Sequence, residues 1–575
     1  MNRLFTLSCL ILACYWAGAQ APRITTHFPA NLEVSAVAQG NITVDFDAPL
    51  DEATVHPGTV KAFGRWSGPL AAGVQLANSG KRIEIVPTEP LIAGEWVTVN
   101  LTREIRSAGG EAMGRGYSWN FWVATAESSL QQAPVDTIIL RLPEEEYLQT
   151  YGAYAGDINN DGFSDLVVVN EYVDDLRILL NDGTGRYPDF TIIPMGELKP
   201  SPNEGADFNG DGEIDLAVST AYQNEVRVLF GDGQGGFSQP AIYYTDEGAR
   251  GLVVLDCNGD GHDDIFITNR IAGNLSLLVN DGTGQFAVQP MDTDGSAETS
   301  CAVADANNDG IPDIFIGMFT NPELALLLGD GQGGFNLSSR VTVTGSPWMI
   351  AAADLNGDGF ADVASANSNG NRLAVAFGDG TGQLSTPTYY THPTLRFPLA
   401  IDLGDLDGDG DIDIVTSNYS GPTFAVFEND GAGNFSVASI LPSPDLASCA
   451  IIHDRDNDGD LDISGTDEGV DQIILFENPG IVNAAHEESA SALSVQLLSN
   501  PCKKGCGLIL GLGETAEVSL RIFNAQGQAV YRQSLGQLSV GQHQLNWPAE
   551  GWPAGIYFLK MEAGDERWSG QVVVD

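Results

Sequence analysis

Positive charge is what this 575-residue chain has least of: Lys and Arg number 26 against 77 Asp and Glu, a formal net charge of −51. Phosphate binding needs clustered Lys and Arg, so a nucleic-acid partner is excluded. Cysteine is scarce as well. Beyond residue 21 only Cys257, Cys301, Cys449, Cys502 and Cys506 remain, an odd number whose spacing fits neither a zinc site nor a disulfide framework. Cys502 and Cys506 are close enough in sequence for a small local bridge. After the first residues no apolar run approaches the roughly 18 residues that span a membrane, so no transmembrane span is expected. Nucleophile elbows, phosphate loops and His/Cys zinc clusters are missing too, and with seven His in all the chain reads as non-enzymatic.

The amino terminus is an export signal. Met1 to Arg3 is a short basic start, residues 4–13 are apolar, and Ala17-Gly-Ala19 or Ala19-Gln-Ala21 is a small-residue cleavage site. Residues 1–21 therefore read as a secretory signal peptide. The alternative is a lipoprotein box ending at Cys14.

What the chain has in abundance is one nine-residue phrase, D-x-[DN]-x-D-G-x-x-D, written seven times. The copies begin at Asp157, Asp207, Asp256, Asp305, Asp354, Asp405 and Asp454, at intervals of 50, 49, 49, 49, 51 and 49 residues. Oxygen-bearing side chains recur at positions 1, 3, 5 and 9: Asp157, Asn159, Asp161 and Asp165; Asp207, Asn209, Asp211 and Asp215; Asp256, Asn258, Asp260 and Asp264; Asp305, Asn307, Asp309 and Asp313; Asp354, Asn356, Asp358 and Asp362; Asp405, Asp407, Asp409 and Asp413; Asp454, Asp456, Asp458 and Asp462. Position 6 is always Gly. Position 7 varies freely, reading Phe163, Glu213, His262, Ile311, Phe360, Asp411 and Asp460, as expected of a residue that contributes only its backbone carbonyl. Five oxygens per loop, completed by a bidentate carboxylate or water, suit Ca²⁺, with up to seven ions, one per copy. An EF-hand would need Glu at position 12 and flanking helices; position 12 here is Val168, Val218, Ile267, Ile316, Ser365, Thr416 or Gly465, and the flanks are short β-type runs. The other alternative, metal-free Asp/Asn/Gly turns, has to explain seven copies in register.

Each repeat also carries a second turn, at residues 181–187, 231–237, 280–286, 329–335, 378–384 and 429–435, of the form [NG]-D-G-x-G. These are hairpin signals and read as structural. The seventh repeat ends at Phe476-Glu-Asn-Pro-Gly480 without that turn, and residues 137–142 are expected to complete it by closing a ring. Seven repeats of about 50 residues with four strands each imply a seven-bladed β-propeller. The paired motifs over residues 136–480 resemble FG-GAP/VCBS repeats of integrin α-subunit propellers and bacterial surface proteins. That resemblance implies calcium-braced blades with the metal loops on one face, between first and second strands, and the opposite face free for partners.

On that free face the residues six before each first Asp, namely Tyr151, Ser201, Arg250, Thr299, Trp348, Leu399 and Ser448, are expected near the channel mouth. Trp348 and Arg250 offer an aromatic platform and a cation for a sugar or a peptide acid; core packing or a surface ion pair is the plain alternative. Outer turns add Tyr172, Tyr222, Asn269, Arg270, Asn367, Asn369, Asn418 and Tyr419, although Asn is also an ordinary turn residue. Some related propellers are polysaccharide lyases, and the loop holding Tyr389, His392 and Arg396 contains groups for that chemistry. The candidate ligand residues are thus Arg250, Trp348, Tyr389, His392, Arg396 and Tyr419, the ligand a glycan or extracellular protein, and lyase activity the alternative.

Residues 22–126 alternate as strands of a β-sandwich and resemble a bacterial Ig-like domain, which implies a spacer. After a linker at 481–492, residues 493–575 form another small β-sandwich. Its S-N-P at 499–501, the V-S-L-R-I-F-N-A-Q-G run at 518–527 and P-A-G-I-Y-F-L at 553–559 resemble a type IX secretion sorting domain; the insertion at 502–506 and the terminal Asp575 depart from that pattern. The resemblance implies a partner in the type IX secretion machinery and a protein secreted or held on the outer-membrane surface of a Bacteroidota-type bacterium. The whole reads as an all-β adhesion or binding protein.

Overall fold

The computed structural model describes residues 20–479 apart from 197, 198 and 221, and most of 493–574. The signal segment up to residue 19, the 481–492 linker, the 499–501 motif and the Cys502–Cys506 pairing lie outside the described residues. The chain divides into two units, up to Ile481 and from Val482.

Strands whose alternate side chains are apolar bury one face, and the N-terminal segment does this twice. One sheet orders Ile24–Phe28, Ile42–Phe46, Arg82–Pro87 and Ala72–Ala77; the other orders Gly68–Pro69, Val60–Gly64, Trp96–Leu101 and Tyr117–Trp122. Ile42, Val44, Phe46, Ile83, Ile85, Val97, Val99, Trp119 and Phe121 fill the space between them.

Seven four-stranded antiparallel sheets follow, with inner strands Thr150–Gly156, Pro200–Ala206, Ala249–Leu255, Glu298–Ala304, Pro347–Ala353, Pro398–Gly404 and Ala447–His453. They are the blades of the propeller. Second strands such as Asp165–Asn170 are buried along their whole length, since each lies between neighbouring blades and reads as a continuous apolar run rather than an alternation. The seventh sheet takes its outer strand from ahead of the first blade. That strand is Ala133–Ile139, pairing Ile139 with Gln472 and Ala133 with Glu477, so closure comes a few residues earlier than 137–142. Leu140 is already buried, and its N–H meets Asp471 O at 3.0 Å.

Each inner strand slips register near its start: between Thr150 and Gly152, Pro200 and Asn203, Ala249 and Gly251, Glu298 and Ser300, Pro347 and Met349, Pro398 and Ile401, and Ala447 and Cys449. The irregularity falls on the residue six before the first Asp in every blade. A bulge re-aims the side chain it carries, which is how Tyr151, Arg250 and Trp348 come to stand at the channel end remote from the Asp loops. The bulge backbone also joins blades: Ser219 Oγ donates to Arg250 O, Ser417 Oγ to Ser448 O and Ser448 Oγ to Thr150 O, at 2.9–3.0 Å.

The N-terminal sandwich is no spacer. It lies across the Asp-loop face, and its backbone reaches five of the seven loops: Asp157 N–H donates to Trp66 O, Arg103 N–H to Gly259 O, Ser118 N–H to Gly310 O, Ser128 N–H to Asp407 O and Ala126 N–H to Gly459 O, at 2.6–2.9 Å. Arg65 enters the channel and pairs with Asp402 at 3.0 Å, while the Tyr154 hydroxyl donates to Arg65 O. Between this lid and the bulge residues lies a cavity of about 280 Å³, lined at one end by Phe63, Trp96 and Trp122 and at the other by Tyr151, Arg250 and Trp348.

The C-terminal unit is a second all-β body. Leu493–Leu497, Gly505–Leu512 and Gly541–Pro548 form one sheet, and Ala529–Leu538, Ala516–Asn524, Gly555–Ala563 and Glu566–Val574 the other. Leu508, Leu510, Val518, Leu520, Trp547 and Leu559 share its core.

Candidate functional site

Every Asp loop joins the first and second strands of its blade. Its first carboxylate collects the N–H of position 6 and, in all but loop six, that of position 5, as Asp157 does from Gly162 at 2.8 Å and Asp161 at 3.0 Å. Asn159 Oδ1 accepts from Asp161 N–H, and Asp161 Oδ1 from Phe163 N–H, each at 3.0 Å. These bonds curl the chain around its own oxygens. Two positions must then take positive φ: position 6, always Gly, and position 4, where Asn160, Gly210, Gly259, Asn308, Gly357, Gly408 and Asn457 lie between 55° and 75°. Only Gly and Asn adopt that region readily.

The ninth residue is the pin. In all seven blades its Oδ1 accepts the N–H found sixteen residues on, which in the first six is where the second turn begins, from Asn181 on Asp165 to Asn478 on Asp462, at 2.7–2.9 Å. In six blades Oδ2 also takes the N–H of loop position 2. The second turn is structural, as expected: Asn280 and Asn429 donate to Phe208 O and Leu355 O of the preceding blade and to the carbonyl at position 8 of their own loop.

Burial and crowding by sibling carboxylates push the ninth carboxyl up, to about 8 in Asp165, Asp313 and Asp362, about 7 in Asp215 and Asp264, and about 9 in Asp413 and Asp462. Loops six and seven are the most acidic. Asp405, Asp407 and Asp413 bring oxygens within 4.8 Å of one another, as do Asp454, Asp456 and Asp458, and Asp456, Asp462 and Glu477. Position 7 is not indifferent in these two copies. Asp411 and Asp460 sit among the loop acids, each pushed up to about 7 by burial and then by Asp409 or Asp458. Asp411 Oδ1, Asp456 Oδ1 and Asp460 Oδ1 are buried without a hydrogen-bond donor, as is Asn258 Oδ1 in loop three. A set of buried acceptors lacking donors fits a hard cation. Loop seven differs in holding a cation already: Arg455 pairs with Asp462 at 3.4 Å and with Glu477.

At the opposite mouth, Arg250 lies 5.0 Å from the Tyr151 ring and 4.7 Å from that of Trp348. The Tyr151 hydroxyl accepts from the Arg250 guanidinium and from Trp348 Nε1. Arg250 is buried, so it closes the channel instead of standing free. Ring contacts continue from Trp348 to Phe319 at 5.3 Å and Phe397 at 6.0 Å, and from Phe397 to Tyr419 at 6.1 Å. Tyr419 and Tyr147 both donate to Glu468 Oε1. Arg250, Trp348 and Tyr419 therefore share one cluster. Tyr389 is on the outer strand of its blade, where its hydroxyl accepts Thr344 N–H, and His392 Nδ1 is engaged with Thr394 Oγ1. Arg396 is exposed beside them. Sequence reasoning missed Tyr147, Glu171, Phe319, Phe397 and Glu468. Three of these were within reach of the repeat itself, because Glu171, Phe319 and Glu468, like Arg270 and Tyr419, fall fourteen after a first Asp.

An FG-GAP-like repeat model matches residues 207–267, 256–316, 305–365, 354–416 and 405–464, a bacterial Ig-like domain model matches 18–123, and a FlgD Ig-like domain model matches 509–566. No protein of curated function matches the chain. Similar solved structures include BBS1N in complex with ARL6DN (14% identity, TM-score 0.45, 62% of this chain and 99% of that one). Others are an Agrocybe aegerita lectin that recognises non-reducing terminal N-acetylglucosamine (18%, 0.38, 70% and 94%) and the Dos1 propeller (13%, 0.40, 73% and 95%). The chain thus carries FG-GAP-like repeats and an N-terminal bacterial Ig-like domain.

Proposed function

We propose that this is an exported, calcium-stabilised propeller that works as a non-enzymatic binding or adhesion module for glycan or protein ligands. The observation that carries the reading is the contrast between its ends: the Asp loops lie under a docked domain, and the aromatic, charged mouth does not. Residues 1, 3, 5 and 9 of each loop, with the backbone carbonyl of position 7, would hold Ca²⁺, joined in loops six and seven by the Asp411 and Asp460 side chains. Bound there, the cation neutralises carboxylates that otherwise repel one another; seven would leave a net charge of −37. No helix among the described residues is long and apolar enough to cross a membrane. The C-terminal β-unit is consistent with a type IX sorting tail and the N-terminal segment with a signal peptide, which together favour a secreted or surface-attached protein. Incubation of the calcium-loaded protein on arrays of glycans and matrix proteins tests the reading. Specific, saturable hits are expected; release of unsaturated products from acidic polysaccharides would overturn it in favour of a lyase.

A further inference from the structure

Arg270 is the more exposed of the two guanidinium groups stacked on Trp348. It follows the second strand of blade three, half-buried, with its guanidinium 4.7 Å from the Phe319 ring and 4.9 Å from that of Trp348. Arg250 leans on the same indole at 4.7 Å. Among the described residues Arg270 has no ion pair; burial and the neighbouring Arg250 charge push its guanidinium below its usual range, and no carboxylate offsets them. Two guanidinium groups on one indole repel, and partial burial of a cation without a counter-charge is costly. In a chain with only 26 basic residues against 77 acidic ones, a guanidinium stacked at the mouth, still partly exposed and without a carboxylate partner, points outward, to a ligand that supplies the anion.

We infer that Arg270, backed by Trp348 and Phe319, is the anion-recognition point of the mouth and that it takes the carboxylate of an acidic saccharide. This rests on the binding-module reading above and names its ligand class. A guanidinium donates two parallel bonds to a carboxylate, and aromatic rings beside it stack on the apolar face of a sugar. Tyr172 and Tyr222, 61% and 58% exposed, follow the second strands of blades one and two and add aromatic surface at the same end of the channel. A saccharide is favoured over an acidic peptide by the other side of the mouth. Glu171 and Glu468 stand there, both buried, and Glu171 Oε1 has no donor. The hydroxyls that a sugar acid carries beside its carboxylate supply the donor that Glu171 Oε1 lacks, and an acidic peptide side chain brings none.

The calcium-loaded full chain is titrated with oligogalacturonate, alginate oligosaccharides, neutral dextran oligosaccharides and poly-glutamate, alongside Arg270→Gln and Arg270→Lys. Uronate binding is expected, weakened by rising salt, reduced about tenfold or more in Arg270→Gln and partly restored in Arg270→Lys, with melting temperatures unchanged. Neutral oligosaccharides bound equally by the wild type and Arg270→Gln would overturn the anion point and leave the binding module standing. Preference for poly-glutamate would overturn the saccharide. Binding of none of the four probes would overturn the anion point, and failure on glycan and matrix arrays as well would take the binding-module reading with it.

Discussion

On the Asp-loop side every blade presents Asp at loop positions 1, 5 and 9, while at the mouth no two described blades agree except the two that carry Glu: fourteen residues after six of the seven first Asps stand Glu171, Arg270, Phe319, Ser368, Tyr419 and Glu468. One strand's length separates these rings. Positions 1, 5 and 9 are invariant because each carboxylate there answers a fixed backbone N–H, and a substitution leaves that donor without its partner. The mouth residues answer only one another, so composition there is free to follow a ligand. The faces differ too in what covers them: the uniform one is occupied by the protein's own N-terminal sandwich.

Removing divalent cations is the strongest way to break this contrast. Each site filled at 100 times its dissociation constant contributes about 2.7 kcal/mol, so excess chelator should lower the melting temperature by more than about 10 °C, at roughly 2–4 °C per kcal/mol. The sandwich should come loose with the loops it contacts, and limited proteolysis would then cut near residues 124–132. A melting curve unmoved by chelator would sink the calcium proposal.

Single residues sharpen the comparison. Asp413→Ala strips the acceptor from both Leu406 and Asn429 N–H and should cost about 2–6 kcal/mol, at about 1–3 for each buried donor. Arg270→Ala, on the variable face, should stay within about 0.5 kcal/mol of wild type. Chemical denaturation of the two variants in calcium checks the difference, and equal losses would abolish the distinction between frame and mouth.

The sequence was most readable where repetition forced agreement. The loop positions, the order of strands and the closing strand follow from a period near 50, because a residue that recurs seven times must serve the blade and not the ligand. Position 7 was misjudged for that same reason. Its variability across copies hid that Asp411 and Asp460 point their carboxylates among the loop acids, which only their shared appearance in the two copies with Asp at position 3 could have revealed. The lid was not readable at all. It depends on backbone contacts such as Arg103 N–H to Gly259 O and Ser118 N–H to Gly310 O, which leave no periodic mark on side chains. Nor could spacing separate Tyr389 and His392, in a blade's outer strand and the loop after it, from Trp348 on an inner one.

Arg65 tests the lid from within the channel. Arg65→Ala removes the partner of Asp402, which also accepts Ile452 N–H through its other oxygen at 2.9 Å. Loss of this partly exposed pair should cost about 1 kcal/mol. It should appear first as faster cleavage between sandwich and propeller, with the mouth's ligand binding unaltered.

Tyr151→Phe removes a single atom, and it decides how the mouth is closed. The hydroxyl accepts from Arg250 and from Trp348 Nε1 at once, while the ring still packs beneath the Arg250 guanidinium. Removing one oxygen keeps the aromatic contact and leaves two donors to find water, at about 1 kcal/mol if water reaches them and more if it does not. The 280 Å³ cavity that these residues line is roomy enough for such water, and its walls carry polar groups to hold it. A loss near 1 kcal/mol with a changed tryptophan fluorescence therefore describes a wet channel behind the plug. A loss of several kcal/mol would mean that the plug seals a dry one, and that a ligand at the mouth touches Arg270 without displacing Arg250.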